Sequence, residues 1–485
     1  MKICVLQPDY SHSTVDYKDW DPVRNLQHLW PEAEMDHVLL SKLTTYKQLK
    51  ELSKKGYDVF VNLCEGYPDW ETPGYDVYFN AEMLNLPITG PGTKLFDVPK
   101  RLMKYVAYCE GVKIPAYALI HTLDELDKSI KGLKYPLFVK PAHIGDSIGV
   151  DEKSLVKNKE ELVNKCASII DAYGPLLIEE YIAGREFTVL VAADPENEKD
   201  CVAFKPIEYK FPKGKEFKTY SLKTSELHPD CNFPCNDPAL EERLKEDARK
   251  IFSGFGAVGY GRMDFRVNDK NEIYFLEVNF TCSVFYSDGL EGSADFILKF
   301  DGIGQSGFLK HIVKEAINRH QRKQKSYDVK GNSISGFGIY ANRAIPSGEI
   351  IFNGEERPQR LVTHRHVKQS WGEKEKEHFR RYAYPISKEV FIIWDNDPTE
   401  WAPQNHSCDA NCMYDGLNVV TLRNIKKGEE LTLDYAQFLD KSMEPFHCNC
   451  GTENCRGLIM GLPNNSVTER EKRIRTRSRI KAKQD

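Results

Sequence analysis

The sequence predicts a multidomain protein that is alternating α/β over its first two-thirds and mostly β after Tyr327. At 485 residues the chain is too long for one ordinary hydrophobic core. Apolar segments of strand type and helix type alternate from the N-terminus to residue 310, which favours an α/β architecture. After Tyr327 the apolar segments are short, and each is bounded by Gly, Pro, Asn or Asp, as in strands that are joined by turns.

Composition and charge exclude several classes of protein. Apolar residues make up 41% of the chain and charged residues 29%, which is typical of a folded globular protein. No segment approaches the roughly 20 apolar residues that cross a bilayer, and MKICVLQPDY lacks the features of a secretory signal. We therefore expect a cytoplasmic protein without membrane contact. The net charge of -5 gives no general basic surface for nucleic acid.

Residues 462–485 differ from the rest of the chain because they are rich in Arg and Lys and lack an apolar period. Such a segment is predicted to be a flexible, solvated tail. A role of this basic tail in binding nucleic acid or a partner, or in nuclear targeting, stays open.

The opening segments predict a β-α-β unit. MKICVLQ and YDVFVNLCEG are strand-like runs, and LTTYKQLKELSKK between them has the pattern of a helix. Strands and helices then alternate until FLKHIVKEAINRHQRKQKS, which is predicted as the last helix of this region, leading into a linker at residues 311–326. In the mostly β region, VKQSWGEKEKEHFRRYAY predicts a polar helical insertion between strands.

Four segments bring together residue types that bind phosphates and metals: FDVPKRLMK, PLFVKPAHIGDSIGV, LLIEEYIAGREFTV and GRMDFRVNDKNEIYFLEVN. Lys140 ends an apolar strand, where its ammonium group can contact nucleotide phosphates, and a glycine-containing loop follows it. Asp264, Glu277 and Asn279 lie near the ends of two strand-like runs in which alternate positions face the same side. Their oxygen atoms are ligands that Mg²⁺ prefers when it also binds phosphate. Each feature alone also fits an ordinary strand end, and the prediction depends on their occurrence together.

With these segments, residues 1–310 resemble the D-alanine:D-alanine ligase branch of the ATP-grasp superfamily. The resemblance implies a Rossmann-like, pre-ATP-grasp α/β subdomain over residues 1–95 and an α+β ATP-grasp domain over residues 96–310. It also implies that a carboxylate attacks the γ-phosphate of ATP and that an amine converts the resulting acyl phosphate to an amide. The substrate is then an amino acid or a peptide. D-alanine is not assigned, because the serine-containing signature of the family is not recognisable near Gln7.

The resemblance gives individual residues a role. Lys100 and Lys140 match the two lysines that contact phosphates, and Arg262 matches the cation that stabilises the tetrahedral intermediate. The phosphate loop, the adenine hinge and the ribose contact are matched by Ser147, Glu179, Glu180, Ile182 and Glu186. The magnesium ligands of the family are matched by Asp264, Glu277 and Asn279.

The cysteines predict a site of another kind. There are 13 of them, an odd number, and most are scattered singly, which argues against a disulfide framework. Three are clustered in FHCNCGTENCRG, and a fourth lies earlier, in NHSCDANC. Because four thiolates are the ligand set of a closed structural zinc site, we predict that Zn²⁺ is bound by Cys408, Cys448, Cys450 and Cys455. Cys412 is an alternative fourth ligand.

The last third of the chain contains three further motifs, SGFGIYANRAIPSGEII, NHSCDANC and GEELTLDY. Together with the clustered cysteines they resemble a SET domain over residues 327–445 and a post-SET zinc segment over residues 446–461. The resemblance implies that Tyr435 is the catalytic tyrosine of a lysine methyltransferase. It places S-adenosylmethionine against Gly336, Phe337, Gly338, Asn405 and His406. We expect the tyrosines of RRYAYP to be buried in the core, with a place in the substrate channel as the alternative.

The two resemblances together predict a bifunctional enzyme, in which an ATP-dependent carboxylate–amine ligase is joined to an S-adenosylmethionine-dependent N-methyltransferase. The methyl acceptor is then a lysine-containing protein or another amine. An alternative is a protein-lysine methyltransferase whose ATP-grasp part is a non-catalytic binding or regulatory module. A scaffold without either activity is disfavoured by the intact Tyr435 and the predicted magnesium ligands. A homodimer is compatible with the ligase resemblance, although no sequence feature marks an interface.

Overall fold

The computed structural model describes residues 1–11, 13–14, 16–143, 145, 148–218, 229–332, 336–355, 360–393, 404–441 and 444–461. The chain divides into two compact units, Met1–Lys323 and Gln324–Asp485. The predicted basic tail at residues 462–485 lies outside the described residues. Within the described ranges, every helix is too short or too polar to cross a lipid bilayer.

The first unit opens with a parallel sheet of β1 (Lys2–Pro8), β2 (Glu34–Leu40) and β3 (Val59–Asn62), in which β1 is the central strand. Helices α1 (Thr45–Leu52) and α2 (Tyr75–Met83) contribute to the apolar core beside this sheet. The predicted strands β1 and β3 and the predicted helix α1 are confirmed. Strand β2 was missed, because this edge strand is only partly buried and its sequence, EMDHVLL, has no continuous apolar run.

The middle of the first unit contains two antiparallel sheets. Their strands are β4 (Tyr117–Ile120), β5 (Leu137–Pro141), β6 (Leu155–Val156), β7 (Leu176–Glu180), β8 (Arg185–Ala193), β9 (Cys201–Ala203), β10 (Ile207–Tyr209), β11 (Asn232–Pro234), β12 (Tyr260–Val267) and β13 (Ile273–Asn279). The four-stranded sheet has the order β4-β7-β5-β6. The six-stranded sheet has the order β11-β10-β8-β12-β13, with β9 paired to β8.

Helices cover these sheets. They are α3 (Lys100–Cys109), α4 (Leu126–Ser129), α5 (Lys159–Tyr173), α6 (Pro238–Gly254), α7 (Ser293–Asp301) and α8 (Gly304–Lys323). Apolar residues of α5 join the core of the four-stranded sheet, and those of α3 and α6 join the core of the six-stranded sheet. The start of α6 is fixed by Asp237, whose side chain accepts hydrogen bonds from two backbone N–H groups of the first turn.

Helix α8 continues through most of the segment that was predicted as a linker. Its buried residues Phe308, Ile312 and Val313 belong to the same apolar core as strands β1 and β3. Residues 311–323 are therefore part of the first unit, and only residues 324–326 separate α8 from the first strand of the second unit. The charged run in the sequence lies on the exposed end of the helix, which is why it was taken for a linker.

The second unit is mostly β, as predicted. Its strands are β14 (Tyr327–Asn332), β15 (Gly336–Ala341), β16 (Ile350–Phe352), β17 (Arg360–Thr363), β18 (Tyr384–Pro385), β19 (Val390–Ile393), β20 (Asn405–His406), β21 (Cys412–Asp415), β22 (Asn418–Thr421), β23 (Thr432–Leu433), β24 (Phe446–His447) and β25 (Leu458–Ile459). The largest sheet has the order β16-β22-β21-β23-β20. The predicted helical insertion is confirmed, since α9 (His364–Ser370) and α10 (Glu373–Tyr382) lie between β17 and β18.

Candidate active sites

A cleft in the first unit is lined by residues of both antiparallel sheets. It brings together most of the residues that were predicted to bind ATP and magnesium. The predicted residues that line it are Lys100, Lys140, Glu179, Glu180, Ile182, Glu186, Asp264 and Glu277. An adjoining cavity shares Lys100 and Glu277 and adds Arg262 and Asn279. Ser147 lies outside the described residues.

Three charged side chains form a buried network at this cleft. Glu179 accepts from the ammonium group of Lys140 at 2.8 Å and from that of Lys104 at 2.9 Å. Lys104 is 0% exposed, and its Nζ also donates to the backbone oxygen of Leu276 at 3.0 Å. Burial works to raise the pKa of Glu179, but the two ammonium groups hold it below its usual value. The carboxylate therefore stays ionised between two cations.

The two lysines of this network respond differently to burial. Burial lowers the pKa of Lys104, although Glu179 acts against that effect. For Lys140 the lowering effect of burial is outweighed by Glu179 and Glu277, so its pKa is raised. The ammonium group of Lys140 is thus the more firmly charged of the two at the cleft.

The predicted metal ligands lie on two paired strands. In the antiparallel register of β12 and β13, Asp264 is opposite Glu277 and Arg262 is opposite Asn279. The register shifts directly after this pair, which leaves Leu276 as an extra residue in β13. Such bulges are frequent next to active sites because they redirect neighbouring side chains.

Charged and polar neighbours surround this pair of carboxylates. Thr188 on β8 donates a hydrogen bond to Asp264 at 2.6 Å, and the guanidinium Nε of Arg262 lies 3.6 Å from the same carboxylate. The ammonium group of Lys100 lies 3.8 Å from Glu277. The oxygen atoms of two facing carboxylates are ligands that Mg²⁺ prefers when it also binds phosphate oxygens. The site therefore fits a divalent ion, with cations close by.

The far end of the cleft contains an ion pair. Glu186 lies 3.0 Å from the guanidinium of Arg266 and 3.8 Å from the ammonium group of Lys218. Arg266 is buried, and its guanidinium lies over the ring of Tyr181 at 5.2 Å from the ring centre. The side chain of Glu186 is thus held in place at the rim where the resemblance places a ribose.

A second cavity lies in the second unit and has mostly aromatic walls. Tyr384, Tyr414, Phe438 and Tyr435 line it, and their rings contact one another at centre distances of 4.7 to 5.9 Å. The hydroxyl of Tyr435 donates to the backbone oxygen of Gln404 at 2.6 Å. Because burial raises the pKa of Tyr435, this hydroxyl stays protonated at neutral pH.

The tyrosines of the helical insertion both reach this cavity. Tyr384 is 1% exposed, as expected for a core residue, whereas Tyr382 is 52% exposed. Burial in the core, the expected outcome, is thus confirmed for Tyr384, which also lines the cavity, whereas Tyr382 fits the alternative of a place at the channel.

The residues that were predicted to contact S-adenosylmethionine meet beside Tyr435. Asn405 donates a hydrogen bond from its side chain to the backbone oxygen of Phe337 at 3.0 Å, which joins β20 to the Gly336–Gly338 segment. His406 Nδ1 accepts from the backbone N–H of Tyr435 at 3.1 Å. Burial lowers the pKa of His406, so its ring is neutral and can accept this hydrogen bond.

The four predicted cysteine ligands form one cluster. The sulfur atoms of Cys408, Cys448, Cys450 and Cys455 all lie within 4.8 Å of one another. Sulfur atoms that share a tetrahedral zinc ion at about 2.3 Å are about 3.8 Å apart, so the cluster fits Zn²⁺. Cys412, the alternative ligand, is not in the cluster; its thiol donates to the side chain of Asn411, and burial raises its pKa to about 12.

Contacts connect this cluster to Tyr435. The backbone N–H of Arg456 donates to the sulfur of Cys408 at 3.4 Å, and the guanidinium of Arg456 pairs with Asp434. His406 Nε2 lies 3.5 Å from the same sulfur. These contacts connect the cluster to Asp434, the residue before Tyr435, and to His406, which accepts a hydrogen bond from the backbone of Tyr435.

Comparison with known proteins gives two matches to protein families. Residues 111–284 match the model for the D-ala D-ala ligase C-terminus, and residues 336–436 match the model for the SET domain. One region of the chain is thus similar to the C-terminus of D-alanine–D-alanine ligases, and a later region is similar to the SET domain.

Several similar proteins are D-alanine–D-alanine ligases. D-alanine–D-alanine ligase B of Clostridium tetani is 30% identical over 252 residues, which are 49% of this chain and 66% of that protein. D-alanine–D-alanine ligase of Geobacillus thermodenitrificans is 27% identical over 316 residues, which are 63% of this chain and 82% of that protein. The crystal structure of D-alanine–D-alanine ligase from Bacillus anthracis complexed with ATP is 20% identical, covers 67% of this chain and 100% of that one, and has a TM-score of 0.48.

The sequence analysis missed two charged residues of the first unit. Lys104 lies one helical turn after Lys100 on α3, and this i,i+4 spacing could have placed both lysines on one face of the helix. Arg266 lies two positions after Asp264 on β12 and therefore on the same side of the strand. The spacing alone does not identify either residue as part of the site. Each is recognised only once the structure shows its partner, Glu179 for Lys104 and Glu186 for Arg266.

A first prediction concerns the buried network. We expect Lys104→Met to lower the free energy of unfolding of the first unit by about 3 to 5 kcal/mol, because it leaves Glu179 buried with one cation fewer. Lys131→Met, which alters an exposed lysine of the same unit, should change it by less than about 0.5 kcal/mol. Urea unfolding followed by circular dichroism measures both. Equal unfolding midpoints for the two variants would contradict the structural role of Lys104.

A second prediction concerns the cysteine cluster. We expect the purified protein to contain about one zinc ion per chain, and Cys408→Ser or Cys455→Ser to lose it, since a structural zinc site needs all four ligands. Cys412→Ser is the matched control and should keep the zinc ion. Elemental analysis and the melting temperature of the second unit are the measurements. If Cys412→Ser loses zinc and Cys408→Ser keeps it, the fourth ligand is Cys412 and not Cys408.

Proposed function

We propose that this chain is a bifunctional enzyme, in which the first unit is an ATP-dependent carboxylate–amine ligase and the second unit is an S-adenosylmethionine-dependent amine N-methyltransferase. The observation that carries the proposal is that each unit brings several of its predicted site residues together at or beside a cavity. In the first unit these are the lysines, the facing carboxylates and Arg262. In the second they are Tyr435 and the residues around His406.

The ligase reaction would begin with ATP in the cleft of the first unit. Lys100 and Lys140 would neutralise the phosphates, and Asp264, Glu277 and Asn279 would hold Mg²⁺, which supplies further charge neutralisation when bound. A substrate carboxylate attacks the γ-phosphorus, ADP leaves, and an acyl phosphate forms. An amine then attacks the acyl carbon, loses a proton, and displaces phosphate to give an amide. Arg262 would stabilise the negative oxygen of the tetrahedral intermediate.

The methyl-transfer reaction would take place beside Tyr435. An ammonium group has no lone pair, so the substrate amine must be neutral when it attacks the methyl group of the sulfonium. The proton of the Tyr435 hydroxyl is donated to Gln404, so the lone pairs of its oxygen can accept a hydrogen bond from the amine. This contact would direct the amine lone pair towards the methyl carbon. The C–S bond breaks as the N–C bond forms, and the product amine then carries the positive charge.

This chemistry defines the class of substrate for each reaction but not the individual compound. For the ligase they are amino acids or peptides, and for the methyltransferase a lysine-containing protein or another amine. Mg²⁺ and Zn²⁺ are proposed on the donor sets described above, and ATP and S-adenosylmethionine on the domain matches together with the cavities.

The decisive experiment uses two single variants of the full chain. We expect Glu277→Gln to lower amide formation by about 100-fold or more, because a metal-binding carboxylate is lost, and to leave methyl transfer unchanged. Tyr435→Phe should lower methyl transfer by about 100-fold or more and leave amide formation unchanged. The pure proteins are incubated with magnesium-ATP, S-adenosylmethionine and a cell extract, and mass spectrometry measures amide products and methylated proteins.

Matched controls come from the same two units. Glu272→Gln changes a carboxylate next to β13 that pairs with Lys113, and Tyr340→Phe changes a tyrosine of β15 outside the aromatic cavity. Neither should affect either product. If the wild type forms methylated protein but no amide, and ATP alters the methylation rate, the first unit is a regulatory nucleotide-binding module instead. If neither Glu277→Gln nor Tyr435→Phe has an effect, the chain is a scaffold.

A further inference from the structure

One face of the six-stranded sheet carries a row of three polar side chains. In the antiparallel register, Thr188 on β8 is opposite Asp264 on β12, and Asp264 is opposite Glu277 on β13. Residues that are directly opposite in paired strands point to the same side of a sheet, with Cβ atoms about 5 Å apart. Thr188 is 3% exposed. The sheet itself thus places a buried hydroxyl beside a carboxylate that is predicted to bind magnesium.

Asp264 uses one of its two oxygens for contacts within the protein. Its Oδ1 accepts a hydrogen bond from the hydroxyl of Thr188 at 2.6 Å, and the guanidinium Nε of Arg262 lies 3.6 Å from the same oxygen. A positive group beside Oδ1 opposes the binding of a metal cation to that atom. Oδ2 can bind a metal ion without displacing either contact. Asp264 is therefore arranged to offer one oxygen to a metal ion rather than two.

The hydroxyl of Thr188 is well placed to maintain this arrangement. A hydrogen bond to a carboxylate is roughly twice as strong as one between neutral groups, and a β-branched side chain has few χ1 rotamers. The same hydroxyl lies 3.2 Å from the backbone oxygen of Met263. The predicted ligand Asn279 is also oriented, because its Oδ1 accepts from the backbone N–H of Thr281 at 2.9 Å. Two of the predicted ligands thus have a fixed direction.

We propose that Thr188 is a positioning residue that makes this metal site selective for Mg²⁺ over Ca²⁺. The inference rests on the proposed ligase function and adds a residue that acts on the metal through Asp264. Mg²⁺ requires near-octahedral coordination by oxygens at about 2.1 Å, whereas Ca²⁺ takes roughly six to eight oxygens at longer distances and often binds both oxygens of one carboxylate. A carboxylate that is held to a single free oxygen suits Mg²⁺ and denies Ca²⁺ a ligand.

The test measures binding by the full chain without turnover. A non-hydrolysable ATP analogue is titrated into the protein by calorimetry, once with saturating Mg²⁺ and once with saturating Ca²⁺, and the ratio of the two dissociation constants is the readout. We expect the wild type to prefer the Mg²⁺ complex by about 10- to 100-fold. Thr188→Val, which removes the hydroxyl but keeps a branched side chain, should reduce this preference by about 10-fold. Thr188→Ser keeps the hydroxyl and should retain it.

A merely structural role of Thr188 has a different consequence. In that case Thr188→Val weakens the binding of both complexes by the same factor and the ratio stays constant, which would overturn the inference. Thr122→Val, at an exposed position before α4, is the control and should leave both dissociation constants unchanged.

A double-mutant cycle identifies the residue through which Thr188 acts. In Asp264→Asn the side chain has a single oxygen, so it cannot offer two ligands whether or not the hydroxyl is present. We therefore expect Thr188→Val to leave the Mg²⁺/Ca²⁺ ratio of Asp264→Asn unchanged. A further fall of the ratio in the double variant contradicts a role through Asp264.

The same titrations separate this inference from the proposed ligase function. A wild type that binds neither metal–nucleotide complex refutes the nucleotide site and with it the ligase function. A wild type that binds both complexes equally well refutes the selectivity and leaves the ligase function standing.

Discussion

The geometry of the first site depends on one buried carboxylate between two ammonium groups. Glu179 on β7 binds Lys140 on β5 and Lys104 on α3, and Lys104 also donates to the backbone of β13. An unpaired buried charge costs several kcal/mol, so these elements cannot separate at the cleft without a large loss of stability. Since α3 is fixed at Lys104, the preceding turn holds Lys100 within 3.8 Å of Glu277. The network thus positions Lys140 together with Lys100 and Glu277, the residues that are predicted to bind phosphates and metal.

The second unit has a different feature that can hold its site together, a cluster of four cysteines. Its strands are short, and its apolar core is small compared with those of the first unit. A small core gains stability from a structural metal, and four thiolates in one cluster supply such a site. Through Arg456 and His406 the cluster also holds the backbone beside Tyr435. A metal at this cluster would therefore act on folding and on the orientation of Tyr435 at once.

The sequence predicted those features whose signal is local. The cysteine spacing and the Glu277-Val278-Asn279 motif are short and chemically specific. The structure brings the four cysteines together and sets Glu277 opposite Asp264, while the binding of zinc and magnesium stays a prediction. Strand β2 and the network of Lys104 were missed, because an edge strand has little apolar pattern and a buried lysine is recognisable only beside its partner. Glu65 and Ser283 are 218 residues apart in the chain, and nothing in either segment predicts their hydrogen bond. Long-range pairs of this kind are fixed by the packing of whole elements.

The contrast between the two cavities follows from the charges that the proposed reactions develop. Transfer of a phosphoryl group gathers negative charge, and the first cleft accordingly contains several lysines and Arg262. Methyl transfer starts from a positive sulfonium and ends with a positive nitrogen, so cationic groups at the reacting atoms would oppose it. Among the described residues that line the second cavity there is no carboxylate, and four aromatic rings contact one another there. Arg381 also lines this cavity, but its guanidinium pairs with Glu377 and lies near Glu444. Aromatic faces stabilise a cation without trapping the amine in its protonated form, as a carboxylate would, which is the condition that methyl transfer to nitrogen requires.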